Sequence, residues 1–349
     1  MPLDFVHNSR AQGSIRYSRR CGTPYAKFSH LYPSCIVIFG KPGDAAEQLY
    51  QGCKARAAVD LGIEARILDE EDGFRQKALG KEISPDPRIA GFRHKWNKVK
   101  DLIILRIDYE KFTQSPDLRN LLTDSYPSSL QEDVPDSDWG WRGRNLGGLT
   151  LERVRSALLG HPHALPVALV LGDSLLSRVH VRLADVVVRS VPGASLPFLT
   201  PVTSMASGPY LSVVVLVCAT NDLVDKNGIV HSPPATVKKL VKLANFITNH
   251  NPNLNLVVSG VLPRWSSSPE IPAAVKKFNE RLRLSFESGG VNPKCALLDL
   301  EPSFLERAFF APDGLHLSGS GSELLSTMLT RTLSYFLNST EKPDFLKLT

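Results

Sequence analysis

The chain has 349 residues, of which 42% are hydrophobic and 22% charged, so a packed core in one large or two ordinary domains is expected. The net charge of +6 is too small to demonstrate a nucleic-acid or membrane partner. Five scattered cysteines without a Cys-x-x-Cys pair argue against a zinc site or a disulfide framework. No apolar run approaches the roughly 20 residues of a membrane span, so no span is expected.

The first 33 residues predict a disordered basic tail. They are polar and lack periodicity, and they are basic at Arg10, Arg16, Arg19 and Arg20. Such a tail could bind nucleic acid through phosphate contacts. The reduced cysteines indicate a cytoplasmic location. The Arg- and Ser-rich start, with few acids, leaves a mitochondrial presequence as the alternative.

Residues 34–112 alternate between strand-like and helical patterns. The run "SCIVIFG" predicts a short strand, and Leu49, Cys53 and Ala57 at helical spacing predict a helix after it. The run "DLIILRIDY", residues 101–109, predicts another strand. Together these patterns predict a partial α/β segment.

Within this segment, "IVIFGKPGDAAEQLYQGCKARAAVDLGIEARI", residues 36–67, resembles the start of the catalytic domain of methylenetetrahydrofolate dehydrogenase/cyclohydrolase. The resemblance implies that Tyr50 and Lys54 would serve a folate site. Glu47 stands where that family commonly has Ser, the following Gln-Leu-Pro-Leu-Pro segment is missing, and no Gly-x-Gly-x-x-Gly occurs. The stretch is therefore interpreted as a truncated remnant.

Residues 113–164 are interpreted as an irregular linker, because prolines, acids and glycines interrupt any sustained apolar period. Trp139 and Trp141 stand out in it. Packing against a neighbouring domain is the favoured interpretation of both, with ligand stacking as the alternative. Residues 341–349 are interpreted as a short tail.

From residue 165 to 340 the pattern becomes regular. Continuous apolar runs such as "VALVLG" and "SVVVLVCATND" alternate with amphipathic helical segments. Strands of this kind are buried on both faces, so the pattern predicts a parallel sheet between two layers of helices. Functional residues of such sheets gather at the carboxyl ends of the strands. This rule places Ser174, Asn221 and the loop after Leu300 at one edge.

The polar residues at that edge include every group that a hydroxyl nucleophile needs. Ser174 follows a strand in a Gly-Asp-Ser turn, where it could be a nucleophile or part of a helix cap. His316 could take its proton, and Asp313, three residues earlier, could orient the histidine. The backbone N–H groups of Ser174 and Gly193 and the side-chain amide of Asn221 could stabilise an oxyanion.

Four segments, in this order, resemble the four sequence blocks of the SGNH (GDSL) hydrolase superfamily. They are Gly172-Asp173-Ser174, Gly193, Asn221-Asp222 and Asp313-Gly314-Leu315-His316. The resemblance implies a flavodoxin-like three-layer α/β/α fold and esterase, lipase or deacetylase chemistry without a metal or cofactor. It implies that Ser174 is the nucleophile, that His316 is the base with Asp313 as partner, and that Ser174, Gly193 and Asn221 form the oxyanion hole. Ala219 replaces the usual glycine of the third block, which predicts a weakened site.

The predicted function is serine-dependent hydrolysis of small acyl or acetyl esters through an acyl-enzyme. The residues of these blocks are also similar to those of esterase-like domains in open reading frames of animal LINE-type retroelements. The alternative is therefore a retroelement-derived, nucleic-acid-associated protein whose esterase fold is accessory or inactive. A folate-interconverting enzyme is the less favoured third hypothesis.

Overall fold

The computed structural model describes residues 13–225, 227–266 and 268–338, and the chain divides after Leu165 into two units. The predicted tail at 341–349 lies outside the described residues, as does Arg10. None of the helices within the described ranges is long and apolar enough to cross a membrane.

The N-terminal unit is mainly helical, with two small sheets. Its strands are β1 (Ser14–Tyr17), β2 (Pro33–Ile38), β3 (Lys41–Ala45) and β4 (Ser129–Glu132). Its helices are α1 (Ala46–Ala57), α2 (Leu61–Asp69), α3 (Gly73–Glu82), α4 (Phe92–Asn97), α5 (Lys100–Gln114), α6 (Pro116–Asp124) and α7 (Leu146–Leu158). β1 pairs in parallel with β4, and β2 with β3 forms an antiparallel hairpin.

Helix α5 is the centre of this unit, and the prediction of a strand at 101–109 is wrong. Ile103, Ile104, Leu105 and Ile107 are consecutive or nearly so, and all are buried. The helix packs against α1, α6, α7 and β2, so its apolar residues are covered on several sides. Because residues 102–108 are all buried, no exposed polar face marks the helical period, and the run cannot be told from a buried strand.

The prediction of a disordered tail is wrong for the described residues 13–33. Tyr17 and Phe28 are buried, and β1 pairs with a strand more than a hundred residues away. The guanidinium of Arg16 lies 4.1 Å from the ring centroid of Trp141, and that of Arg19 lies 4.9 Å from Tyr32. Cation–π contacts of this kind attach the basic side chains to the folded unit, so they do not form a free arm.

The prediction of a linker at 113–164 is also wrong, because α6, β4 and α7 occupy much of it. Leu130 and Leu151 are fully buried. A Cβ on Gly148 would lie 2.0 Å from the Leu130 carbonyl oxygen. Glycine is needed here for the close approach of α7 to β4, whereas the sequence analysis took the glycines as marks of a loop.

The C-terminal unit is a parallel sheet covered by helices. Its strands are β5 (Ala168–Gly172), β6 (Val186–Ser190), β7 (Val213–Val217), β8 (Asn255–Ser259) and β9 (Cys295–Leu298), in the order β6-β5-β7-β8-β9. Its helices are α8 (Leu196–Ala206), α9 (Thr220–Leu223), α10 (Pro233–His250), α11 (Glu270–Glu287) and α12 (Gly319–Asn338). The predicted flavodoxin-like α/β/α fold of this unit is confirmed.

The core of this unit lies on both faces of the sheet. Leu325, Leu329 and Leu333 of α12 belong to one buried cluster with alternate residues of β5 and β7. Helices α10 and α11 contact β9, and α8 contacts α10. Every residue of β5 and β7 is buried, which explains their unbroken apolar runs. Gly172 pairs with Ser190 on one side and Val217 on the other, so the three strands end at the same edge.

Candidate active site

The catalytic candidates meet at the carboxyl edge of the C-terminal sheet. Ser174 lies just beyond β5, and Asp313 and His316 lie on the loop before α12. The Nε2 atom of His316 lies 3.1 Å from Ser174 Oγ, although 142 residues separate them in the chain. Its Nδ1 atom lies 2.6 Å from Asp313 Oδ2. The three side chains therefore form one continuous hydrogen-bonded chain.

The Asp313–His316 pair is held by its own short turn. One oxygen of Asp313 accepts the backbone N–H groups of Leu315 and His316, each at 3.0 Å, and the other faces the imidazole. The hydrogen bond from His316 lowers the pKa of Asp313 to about 2. An ionised Asp313 favours the tautomer with hydrogen on Nδ1, which leaves Nε2 free to accept from Ser174. About half of each side chain in the pair is exposed, so the site is open to solvent.

The predicted oxyanion donors lie on the two neighbouring strand ends. The side-chain amide of Asn221 donates one hydrogen to the Ala194 carbonyl oxygen at 2.8 Å, which leaves its second hydrogen available. This contact ties Asn221 to the loop of Gly193. Gly193 has φ 67°, a left-handed conformation that glycine adopts without strain. Within the described chain, no acceptor is found for the backbone N–H of Ser174 or of Gly193.

The residues next to these groups have structural partners. Asp173 caps the turn of Ser174, because its carboxylate accepts the Leu175 N–H at 3.0 Å. Asp222 accepts the Leu196 N–H with both oxygens, at 2.9 and 3.0 Å. Burial raises the pKa of each of these two aspartates to about 6. The cap of the turn is therefore Asp173, and the side chain of Ser174, the candidate nucleophile, is not used for capping.

A second candidate site is a cavity of about 630 Å³ in the N-terminal unit, of which the sequence indicated Tyr50 and Lys54 but not the cations or the aromatic cluster. Tyr50, Trp96 and Trp139 form an aromatic cluster in its wall. Trp96 Nε1 donates to the Tyr50 hydroxyl at 2.9 Å, and the rings of Tyr50 and Trp139 meet edge to face at 5.5 Å. Trp139 packs within its own unit, and Trp141 lies under Arg16 away from the cavity wall.

The same cavity carries a concentration of charge. Lys77, Lys81 and Arg93 line it and form no ion pair among the residues that the structure describes. Lys54, singled out with Tyr50 from the sequence, lines it as well and donates to the Gly80 carbonyl oxygen at 2.8 Å. Burial raises the pKa of Glu132, another lining residue, to about 7.

No group of three metal-ligating side chains is found in residues 13–225, 227–266 and 268–338.

The residues that line the cavity come from distant parts of the N-terminal unit, so no local spacing in the sequence links them. Tyr50, Lys54, Trp139 and Glu47 were visible as unusual residues in the sequence, and all four lie at this cavity.

Comparison with known proteins gives a family match for the N-terminal unit. A family model described as the NADAR domain matches residues 17–159. Protein irg-1 of Caenorhabditis elegans is 29% identical over an alignment of 129 residues, and the match covers 32% of this chain. The chain spans 59% of the length of that relative.

Two solved structures are among those similar to the chain. The E. coli protein YbiA is 23% identical, covering 46% of this chain and 94% of its own, with a TM-score of 0.37. The esterase domain of the ZfL2-1 ORF1 protein from a zebrafish retrotransposon is 29% identical, covering 48% of this chain and 98% of its own, with a TM-score of 0.26.

The family match corrects one interpretation of the sequence. The NADAR model runs without a break across residues 36–67, so the resemblance of that stretch to methylenetetrahydrofolate dehydrogenase/cyclohydrolase does not identify its family. The strands there form an antiparallel hairpin, and the unit continues through α7. The stretch is therefore part of a whole folded unit, and the interpretation as a truncated remnant is wrong.

Proposed function

We propose that the C-terminal unit is an SGNH-type serine hydrolase that acts on small acyl or acetyl esters through an acyl-enzyme. The observation that carries this proposal is the hydrogen-bonded chain from Asp313 through His316 to Ser174, with distances of 2.6 and 3.1 Å. Each residue has the partner that its role requires: an acceptor for the serine proton, and a carboxylate for the imidazolium that results.

The reaction follows from this geometry. Ser174 Oγ bonds to the ester carbonyl carbon while its proton passes to His316 Nε2. The tetrahedral intermediate then collapses, and the alcohol leaves with the proton from His316. Water attacks the acyl-serine, giving its proton to His316, and the acid departs as the proton returns to Ser174. The ionised Asp313 stabilises the imidazolium in both halves.

The oxyanion of each tetrahedral intermediate would accept hydrogen bonds from the backbone N–H groups of Ser174 and Gly193 and from the second amide hydrogen of Asn221. All three donors are available in the described structure. Removal of one such donor typically costs about 10²–10³ in kcat, so Asn221→Ala should fall in this range.

The decisive experiment compares wild type with Ser174→Ala in hydrolysis of p-nitrophenyl acetate and butyrate and in labelling by a fluorophosphonate. We expect labelling to be lost and turnover to fall by at least about 10³-fold, because the nucleophile is removed. Ser177→Ala, at the exposed residue that ends the same short turn, is the matched control and should label like wild type. Folded wild type that neither labels nor turns over would favour the alternative of an inactive esterase fold with a nucleic-acid partner, testable by salt-sensitive RNA retention.

We infer a second function for the N-terminal unit: binding of a phosphorylated small molecule that carries a flat ring, such as a nucleoside diphosphate. The cavity supports this in two ways. Its three unpaired cations suit phosphate oxygens, and its aromatic cluster suits a planar ring. Its volume of about 630 Å³ lies in the range of small-molecule sites.

Calorimetric titration with ADP and with adenosine tests this second function. We expect ADP to bind more tightly than adenosine, because only ADP can pair with Lys77, Lys81 and Arg93. Trp139→Ala should weaken ADP binding at least tenfold, whereas Trp141→Ala, away from the cavity, serves as the control. Equal binding of the two ligands, or equal effects of the two substitutions, would contradict the proposal.

A further inference from the structure

Arg264 lies on a loop that is fixed beside the proposed catalytic residues. The loop follows β8, and the side chain of Asn279 on α11 bonds both the N–H and the C=O of Val261, each at 2.9 Å. Four residues later, the Trp265 N–H donates to the Gly314 carbonyl oxygen at 2.9 Å. The loop is therefore anchored on one side to α11 and on the other to the turn of Asp313 and His316.

The residues that the structure describes provide no partner for the guanidinium of Arg264. Its Nη1 atom is buried and makes no hydrogen bond, and Arg264 forms no ion pair among the described residues. The carboxylates of Asp173 and Asp313 are close enough to act on its pKa, which burial lowers and these two charges raise. Neither of them pairs with it: Asp313 is bonded to its own turn and to His316. Asp173 accepts the Leu175 N–H with Oδ1, and its Oδ2 is buried without a hydrogen bond among the described residues.

A half-buried guanidinium without an acceptor is costly, since it has lost water without gaining a partner. Arginine matches a carboxylate or phosphate with two parallel hydrogen bonds. We propose that Arg264 is a specificity-determining residue that binds an anionic group of the substrate, so that the site prefers esters carrying a carboxylate or phosphate. This inference rests on the proposed esterase function.

Two matched pairs of esters test the preference. p-Nitrophenyl hemisuccinate and p-nitrophenyl butyrate share a leaving group and differ by a carboxylate on the acyl side. 4-Acetoxybenzoate and phenyl acetate share an acyl group and differ by a carboxylate on the alcohol side. We expect kcat/KM to favour the anionic member of at least one pair tenfold or more, and the pair identifies which side of the ester Arg264 contacts.

The variants Arg264→Gln and Arg264→Lys then assign the preference to this side chain. Arg264→Gln should lower the anionic-to-neutral ratio of kcat/KM at least tenfold, and Arg264→Lys should retain part of it. Arg281→Gln removes the same charge from an exposed position on α11 and should keep the wild-type ratio. No charge preference in either pair, or an equal loss on both members, would overturn the proposal, the latter because it would mean that Arg264 acts on the catalytic groups.

Binding to the Ser174→Ala variant separates recognition from turnover. Calorimetry with hemisuccinate and butyrate esters should show the anionic preference, and its loss in the Ser174→Ala/Arg264→Gln double variant. If wild type is not labelled by fluorophosphonate, the esterase proposal fails, but this binding result still decides the role of Arg264. Equal binding of the two esters would overturn that role even in an active enzyme.

Discussion

Ala219 adopts a left-handed conformation, with φ 82°, directly before the turn that holds Asn221. The resemblance to SGNH hydrolases predicted a weakened site here, because glycine is usual at this position. The structure keeps the turn: Asn221 bonds to Ala194, and Asp222 bonds to Leu196. The methyl group therefore costs conformational strain, of about 1–2 kcal/mol for a left-handed non-glycine residue, without displacing the amide.

Ala219→Gly should raise the free energy of unfolding of the C-terminal unit by about 1 kcal/mol, because glycine relieves that strain but adds freedom to the unfolded chain. Urea denaturation followed by esterase activity measures this change. Ala273→Gly, at an exposed position in α11, is the control and should lower stability by about 1 kcal/mol. A destabilising Ala219→Gly would contradict the account of strain.

Glu132 makes the stability of the N-terminal unit depend on pH. Its pKa in the folded unit is raised to about 7 by burial, above the ordinary glutamate value of 4.5. A raised pKa means that its stabilising contribution is present at low pH and is lost as the pH rises through about 7. Between pH 5 and pH 8 the free energy of unfolding should therefore fall, by up to about 3 kcal/mol from this residue.

The Glu132→Gln variant should remove this part of the pH dependence, since an amide stays neutral. Thermal unfolding at pH 5 and pH 8, monitored by tryptophan fluorescence, compares the two proteins; three of the four tryptophans lie in the N-terminal unit. His30, whose pKa is raised chiefly by Asp108 against burial, contributes in the same direction; Glu132 adds to that rise, so the variant also removes a smaller part of the His30 contribution. An identical pH profile in wild type and variant would show that Glu132 does not titrate in this range.

At the level of elements, the loop of Arg264 and the turn of Asp313 and His316 approach each other closely at Gly314. A Cβ on Gly314 would lie 2.1 Å from the Trp265 carbonyl oxygen, and Gly314 has φ 68°. Alanine at this position would be strained and would also push the two loops apart. The turn of Asp313 and His316 and the loop of Arg264 are thus positioned as a pair.

Gly314→Ala should lower kcat/KM at least tenfold while the circular dichroism spectrum is retained, because His316 would move relative to Ser174. Gly319→Ala, at the start of α12, is the matched control, since a Cβ there meets nothing within 4 Å. Wild-type activity in Gly314→Ala would mean that the two loops tolerate separation.

Helices and strands could be predicted from the sequence where their burial gives an unambiguous pattern of apolar residues. β5 and β7 are buried along their whole length, so their apolar runs identify them as inner parallel strands. The run at 101–109 has the same appearance and is a helix, because α5 is covered on several sides. Likewise Gly148 marks close packing rather than a loop. Local pattern does not record which neighbours will cover a segment.

At the level of the whole molecule, each unit contains its own candidate site. The site of the C-terminal unit could be predicted from the sequence more completely than that of the N-terminal unit. The blocks around Ser174, Asn221 and His316 stand at strand ends, where the fold class itself predicts that they converge. The cavity of the N-terminal unit draws its cations and rings from residues that only tertiary packing brings together. Arg264 could not be identified from the sequence for the same reason, because only the folded loop shows that its guanidinium is left without a partner among the described residues.

The two units should therefore lose their functions separately. Ser174→Ala should abolish ester hydrolysis and leave ADP affinity within a factor of two, and Trp139→Ala should do the reverse. Both activities measured on each full-length variant decide this. A Trp139→Ala protein that binds ADP weakly and also hydrolyses esters slowly would instead indicate communication between the units.

The position of His316 has a consequence for the synthesis of the protein. The proposed base lies immediately before α12, the helix whose leucines complete one face of the sheet, and it reaches back across 142 residues to Ser174. While that helix is still inside the ribosome, the emerging chain has Ser174 but neither His316 in place nor the cover for that face of the sheet. Such a chain exposes an apolar surface before the proposed hydrolysis could begin, so the completed site and protection from aggregation should arrive together, once α12 has emerged and docked.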